Sequence, residues 1–405
     1  MDADEGLYFA HLPKTGGVSV RSMLADWFDT AEILPSFVED DLAGWSDEAL
    51  AGYRYLGSHF TGTAFDRLAA ASRRPWRIAT FLREPAARTL SHLRHVQRVG
   101  DHVLQSRLRD LSPAACLADP EAVREFGDYQ SRYLLRAVEG SAEPAGDAPA
   151  ALARRIELVG LIEAMEASLL LFAHRLGHRP LAALRWKNVD PDRKSASRAP
   201  DPALLPVLRE MNAGDEQLYI AGRERLLADF AALCDALGQA AVDPLMATGE
   251  QLARVRAAVA RDVEARLRAA PGPRGWARLL RVIGGDAIDL APTWEPGSGM
   301  IRRGVAPGQP LRFEFDRGAA PLAEIELTAL LPHYARRWAP RLALDGAECR
   351  VTRIGAVRNV ARFRASVPLR VPADRLFCLD LVLPARNFHE WGLNALLRVA
   401  VRLAG

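Results

Sequence analysis

Apolar residues follow two different rhythms along this chain, and the rhythm changes near residue 286. In the first part, short apolar runs alternate with stretches that repeat every three to four residues. Leu7-Tyr8-Phe9-Ala10-His11-Leu12 predicts a buried strand. It runs into Pro13-Lys14-Thr15-Gly16-Gly17, a turn-forming cluster, after which Val18, Val20, Met23, Leu24, Trp27 and Phe28 mark one side of a helix. Tyr53–Phe60 and Trp76–Leu82 predict a second and a third strand. The third meets Arg83-Glu84-Pro85, where proline fits the first turn of a helix reaching about Gly100. A fourth strand, Leu158–Leu161, leads into a helix from Glu163 to Leu176, and helices around 205–235 close this part. Strand, loop and helix in repetition predict an α/β domain, a parallel sheet flanked by helices, over residues 1–240.

An arginine- and alanine-rich helical pattern over 250–269 is broken by Pro271-Gly272-Pro273, so residues 241–285 read as a helical linker. Beyond it, Leu311–Phe315, Ala323–Leu331, Arg341–Leu344, Arg362–Val367, Leu376–Leu383 and Leu396–Leu403 are short, and several alternate apolar with polar. That predicts a C-terminal all-β, sandwich-like domain over 286–405.

Composition narrows the class. The 405 residues are 49% hydrophobic and 25% charged, with 53 basic and 50 acidic side chains, which suits a globular chain of two or three domains and excludes collagen-like and disordered classes. No apolar run approaches the ~18 residues of a membrane span. The first residues, Met-Asp-Ala-Asp-Glu-Gly, are acidic where a secretory signal is basic and then apolar. Cys116, Cys234, Cys349 and Cys378 show neither metal-ligand spacing nor a disulfide framework, so a reducing, cytoplasmic interior is expected. Basic residues interleaved with acidic ones argue against nucleic acid as a partner. Only Lys14, Lys187 and Lys194 are lysines; the other 50 basic residues are arginine, which makes a lysine at a turn worth examining.

Residues Pro13–Ser19 sit where an α/β fold places a phosphate. Two glycines let the backbone approach an anion, and a helix start supplies unpaired N–H groups and a positive dipole end. Lys14 adds a full charge, and Thr15 and Ser19 add hydroxyls. The plainer alternative is a tight β–α turn with a solvated lysine. The lysine precedes the glycines, so this is not a Walker A loop, and no dinucleotide fingerprint is present. A magnesium-bound triphosphate is therefore not the expected anion.

His11-Leu12-Pro13-Lys14-Thr15-Gly16-Gly17-Val18-Ser19 resembles the 5′-phosphosulfate loop of sulfotransferases that use 3′-phosphoadenosine 5′-phosphosulfate (PAPS). The form is that of the heparan sulfate 2-O-sulfotransferase-like group and its bacterial relatives. Leu82-Arg83-Glu84-Pro85 with Ser91 eight residues after Arg83 is similar to the family's 3′-phosphate motif. Physically, an arginine at a strand end can fork onto phosphate oxygens, with a serine two turns into the next helix beside it. Arg88 reads only as a solvated helix residue. Gly57-Ser58-His59-Phe60 resembles the family's Gly-His-Phe context for a general base, with Ser58 standing between glycine and histidine. Neutral imidazole suits the task of taking a hydroxyl proton. His11 reads as a packing residue, and His92 and His95, one turn apart, lack a third metal ligand.

Asp128-Tyr129-Gln130-Ser131-Arg132-Tyr133-Leu134 looks like the family's Asn-x-Gln-Thr-Arg-x-Leu segment, which implies that Gln130 and Arg132 line the acceptor or cofactor cleft; a helix surface is the alternative. Val159–Glu163 resembles a structural strand-to-helix junction, and 185–195, with Lys187 and Lys194, a loop covering the nucleotide. The likeness spans about residues 7–235. It implies a P-loop-like sulfotransferase fold and transfer of a sulfuryl group from PAPS to a hydroxyl of a carbohydrate or glycoconjugate, without a metal. PAPS would be held by Pro13, Lys14, Thr15, Gly16, Gly17, Val18, Ser19, Arg83 and Ser91, with Lys14 and His59 catalytic. The β domain is expected either to hold glycan, with Trp294, Trp338 and Trp391 as stacking candidates, or to pack and dimerise. A kinase-like nucleotide-dependent phosphotransferase and a non-catalytic glycan-binding protein are the rival classes.

Overall fold

The structure is a computed structural model describing residues 5–28, 32–34, 46–98, 102–140, 146–181, 184, 201–269, 277–283, 286–287, 301–304, 310–330, 340–357, 360–367, 374–382 and 394–403. The loop 185–195 with Lys187 and Lys194, and all three of Trp294, Trp338 and Trp391, lie outside the described residues.

Four strands, β1 (Gly6–Ala10), β2 (Tyr55–Ser58), β3 (Trp76–Leu82) and β4 (Leu158–Leu161), form an all-parallel sheet in the order β2-β1-β3-β4. Every residue of β1, β2 and β4 is buried, because helices cover both faces and leave no strand a wet side. The helices nearest the sheet's loops are α1 (Gly17–Leu24), α2 (Asp47–Ala51), α3 (Gly62–Ser72) and α4 (Pro85–Arg98). Then come α5 (Gln105–Leu108), α6 (Pro113–Leu117), α7 (Pro120–Phe126), α8 (Tyr129–Glu139), α9 (Ala148–Arg155) and α10 (Met165–Leu176). After residue 200 follow α11 (Leu205–Met211), α12 (Ala213–Ala236) and α13 (Gly249–Ala269). A second apolar cluster fills the space under α4, where Leu90, Leu93 and Val96 meet Leu108, Phe126 and Leu208.

The predicted α/β half with an antiparallel β half is the observed architecture, but the segment between them differs from a linker. Val255, Val259, Val263 and Leu267 line one stripe of α13 and pack into the core around the parallel sheet. Arg278–Ile283 is a strand, β5, paired with β8 (Pro310–Asp316). Its pairing register shifts between Leu279 and Arg281, and such a bulge breaks the two-residue alternation by which a strand is recognised in sequence.

The remaining strands are β6 (Asp286–Ala287), β7 (Ile301–Gly304), β9 (Leu322–Leu330), β10 (Arg341–Leu344), β11 (Ala347–Cys349), β12 (Val351–Val357), β13 (Val360–Ala365), β14 (Leu376–Val382) and β15 (Asn394–Leu403). They form two sheets, β11-β10-β14-β8-β5 and β12-β13-β9-β15-β7-β6, with antiparallel pairs throughout. Phe313, Phe315, Leu379 and Leu381 of the first sheet share one core with Ile325, Leu327, Phe363 and Val401 of the second, so the sheets bury their inner faces on each other. The two halves are joined closely. Leu280 of β5 belongs to the core of the α/β half, and Arg179 pairs with Glu264 of α13 and, at 2.9 Å, with Glu314 of β8. Among the described residues no helix is long and apolar enough to cross a membrane.

Candidate functional site

In the order β2-β1-β3-β4, the chain leaves β1 toward β2 on one side and leaves β3 toward β4 on the other. The loops after β1 and β3 therefore diverge, and the crevice between them, at the carboxyl ends of the strands, is where open α/β sheets receive ligands. A cavity of about 380 Å³ opens there, lined by His11, Pro13, Lys14, Gly16, Gly17, Val18, His59, Arg83, Ser91, His92, His95 and His102. That size lies within the ~300–1,000 Å³ typical of small-molecule sites.

Local backbone strain shapes the first wall. Lys14 adopts φ 69° and Gly16 φ 74°, the left-handed region that costs a side-chain-bearing residue about 1–2 kcal/mol. Gly17 is required for a different reason: a Cβ there would sit 1.7 Å from Cδ2 of the His11 ring. The Thr15 hydroxyl donates to the carbonyl of Leu12 (2.9 Å) and is buried, so this side chain shapes the turn. Ser19 is buried in the first turn of α1; neither it nor Thr15 lines the cavity. Gly16 caps α1 without a side-chain hydrogen bond, which leaves the helix start as a source of backbone N–H groups beside Lys14.

Distant residues hold the second wall. The side-chain amide of Gln130 grips the backbone of Arg83 at both ends: Oε1 accepts from the Arg83 N–H and Nε2 donates to its carbonyl, each at 2.9 Å. Gln130 is fixed in turn by Asp215, whose carboxylate accepts from the N–H groups of Gln130 (3.0 Å) and Ser131 (2.7 Å). Asp128 returns the favour by accepting from the N–H of Asp215 (2.9 Å), so α8 and α12 cap each other's first turns. Glu84 caps α4 through the N–H groups of Ala86 and Ala87, while the Arg83 guanidinium donates to the Lys14 carbonyl (3.1 Å). That last bond ties the two walls together.

Three residues sit elsewhere than the sequence suggests. Gln130 is buried and clamps Arg83 instead of facing a substrate. Arg132 is exposed and donates to the carbonyls of Arg124, Glu125 and Gly127, closing the end of α7; neither residue lines the cavity. Arg88, read as a solvated helix residue, is fully buried: it donates to Thr89 Oγ1 (3.0 Å), the Phe126 carbonyl (2.6 Å) and His92 Nδ1 (3.2 Å), and lies over the Tyr129 ring. The apolar and polar residues of α4 are arranged around that buried cation, which no spacing in the sequence announces.

Five of the seven described histidines line the cavity. His59 Nδ1 lies 2.9 Å from the His11 carbonyl; a carbonyl only accepts, so Nδ1 carries the proton and the lone pair sits on Nε2. The rings of His11 and His59 stack with centroids 4.2 Å apart. Burial, with Arg21 nearby, pushes the His59 pKa down to about 4 against the opposing pull of the His11 carbonyl. Burial, then the charges of His59, Arg21 and Lys14, holds His11 well below the ordinary imidazole value. His92 falls to about 3 through burial and the charge of Arg88. These three rings are neutral at pH 7. No carboxylate is among the described residues lining the cavity, whereas Lys14 and Arg83 both are, so the site is built for an anion. At its rim His92, His102 and Glu125 bring one donor atom each within 4.8 Å of one another, the one described grouping with metal-like spacing.

Of the twelve residues expected at the site, Pro13, Lys14, Gly16, Gly17, Val18, His59, Arg83 and Ser91 converge on the cavity. His11, His92, His95 and His102 join them; the first three stand beside the two anion motifs in the sequence, whereas His102 carries no such signal. No family model matches the chain, and no curated protein matches it. Among solved structures it is similar to a family GH115 4-O-methyl-α-glucuronidase with specificity for decorated arabinogalactans, at 16% identity and a TM-score of 0.22. That likeness covers 78% of this chain and 38% of the glucuronidase, so the chain spans well under half the length of that enzyme.

Proposed function

We propose that the protein is a PAPS-dependent sulfotransferase acting on a hydroxyl of a carbohydrate or glycoconjugate. The observation that carries this reading is the pair of cationic groups, Lys14 and Arg83, on diverging loops around one cavity whose described lining has no carboxylate. A donor set split between two walls fits a ligand with separate anionic groups, as in a nucleotide phosphorylated at both ends of its ribose. PAPS supplies the sulfuryl group when bound. Pro13, Gly16, Gly17 and Val18 with Lys14 surround the position for its 5′ end, and Arg83 with Ser91 the position for its 3′-phosphate.

The protein's own groups then divide the work. His59, held as the Nδ1–H tautomer by the His11 carbonyl, offers Nε2 as acceptor for the hydroxyl proton. Its stacking on His11 keeps the ring plane fixed, so the base is oriented before the acceptor arrives. Lys14 and the start of α1 stabilise negative charge developing on the leaving phosphate. Arg83, clamped by Gln130, fixes the nucleotide against the wall opposite. The four cysteines are free thiols, which supports a reducing, cytoplasmic compartment.

Calorimetric titration with the desulfated product, 3′-phosphoadenosine 5′-phosphate (PAP), tests the reading directly. Micromolar binding by the wild type that is lost in Arg83→Ala and weakened in Lys14→Ala is the expected result. A wild-type protein that ignores PAP but turns over ATP with Mg²⁺ would replace this reading with a phosphotransferase.

A further inference from the structure

His92, His102 and Glu125 have the spacing of a metal site, yet their hydrogen bonds point elsewhere. A guanidinium only donates, so the Arg88 Nη1 contact at 3.2 Å makes His92 Nδ1 an acceptor and puts the ring proton on Nε2. At His102 the backbone N–H of Leu104 donates to Nδ1 (3.2 Å), which likewise leaves the proton on Nε2, facing Glu125 Oε1 at 3.7 Å. A metal-bound histidine needs the reverse: one nitrogen stripped for the metal and the other donating outward. Arg88 behind the ring and Lys14 across the cavity also oppose a cation.

We propose that His92 is a neutral N–H donor to the phosphate that Arg83 and Ser91 face, with its tautomer set by the buried Arg88. This rests on the PAPS reading for the identity of that phosphate. His92 adjoins Ser91 on α4 and lines the same cavity as Ser91 and Arg83. Its Nδ1 is turned to Arg88, so Nε2–H is the polar edge left for a ligand. Burial first, and then the charge of the same neighbour, suppress the ring's basicity and keep the donor uncharged. The cavity thus contains two imidazoles of opposite sense. His59 presents a lone pair for a proton, whereas His92 presents a proton for an anion, and the buried partner of each ring decides which.

The test compares PAP with adenosine 5′-phosphate, which lacks the 3′ group, by calorimetry on the wild type and His92→Phe. A hydrogen bond to a charged group is worth ~1.5–3 kcal/mol, so PAP affinity should fall about 10- to 100-fold while that for adenosine 5′-phosphate changes less than about twofold. Equal losses for both nucleotides would overturn the assignment. Long-range ¹H–¹⁵N NMR of the wild type reads the tautomer without any variant: a proton on Nε2 of His92 supports the proposal, and one on Nδ1 overturns it. Zinc bound at one equivalent and lost in both His102→Ala and Glu125→Gln would overturn it in favour of a metal. If the wild type binds neither nucleotide, the PAPS reading fails separately. Inorganic phosphate then decides the donor role: a shift of the His92 Nε2–H resonance on titration keeps it, and an unmoved resonance removes it.

Discussion

The two walls of the cavity reach similar ends by opposite means. The loop after β1 is shaped within seven residues, by two left-handed backbone positions and a threonine that bonds back to Leu12. The wall after β3 is held by Gln130, 47 residues away, which is held by Asp215 a further 85 residues on. A locally strained wall takes most of its shape from its own few residues and is intolerant of substitution within them. A wall clamped from a distance is only as well placed as the packing of α8 and α12.

Breaking the first wall should give the largest effects. Gly17→Ala drives a Cβ into the His11 ring, displacing the carbonyl that orients His59; a loss of activity of about 100-fold or more is expected, with about 1–3 kcal/mol of overpacking measurable by urea denaturation. Lys14 separates charge from strain. Lys14→Gly and Lys14→Ala should each lower turnover about 100-fold, but Lys14→Gly should be the more stable by about 1 kcal/mol because glycine accepts φ 69° freely. Equal stabilities would mean the strain is absent. On the second wall, Gln130→Leu leaves the N–H and carbonyl of Arg83 without their clamp; about 2–3 kcal/mol of stability and roughly tenfold in PAP affinity should go together.

Smaller effects sharpen the contrast. The folded pKa values of His59 (about 4) and His92 (about 3) lie below the ordinary 6.5, so the unfolded chain binds more protons in between. Their contribution is present in full above pH 6.5 and is lost as pH falls toward 4 and 3, by about 2 kcal/mol for each ring between pH 7 and 5. His59→Gln should flatten part of that slope in denaturation curves at a series of pH values. Arg132→Ala, two residues beyond the clamp and outside the cavity lining, should leave PAP affinity within about twofold.

This division also explains what was readable in advance. The boundaries of β3 and β4 match the predicted strands residue for residue; β4 is buried throughout and reads as a continuous apolar run, and β3 is buried from Ile78 to Leu82. Lys14, Arg83 and Ser91 were legible because each stands at a strand end or in the first turns after one, where backbone geometry points residues at the crevice. Gln130 was identified but given the wrong neighbour, since its target is the main chain of Arg83 and main-chain partners leave no mark in residue type. Arg88 was misjudged because an arginine is ordinarily exposed; what buries it is a set of acceptors brought together only by folding. β5 and β12 were passed over where bulges at Leu279/Arg281 and Arg353/Gly355 interrupt the alternation.

The helix that begins at the anion loop ends in the turn Ala25–Trp27, and β5 of the other half packs against that turn. Trp27 donates its indole N–H to the carbonyl of Arg179 (3.1 Å), whose side chain reaches Glu314 on β8. The β half is thus a buttress to the helix that follows the β1 loop, and it cannot be removed as a detachable cassette. A chain stopped after α13 would expose the apolar seat of Leu280 and leave α1 without support at its far end. Heating should accordingly melt both halves in a single cooperative step, and swapping the β half for that of another protein should cost the loop its shape even with every cavity residue in place.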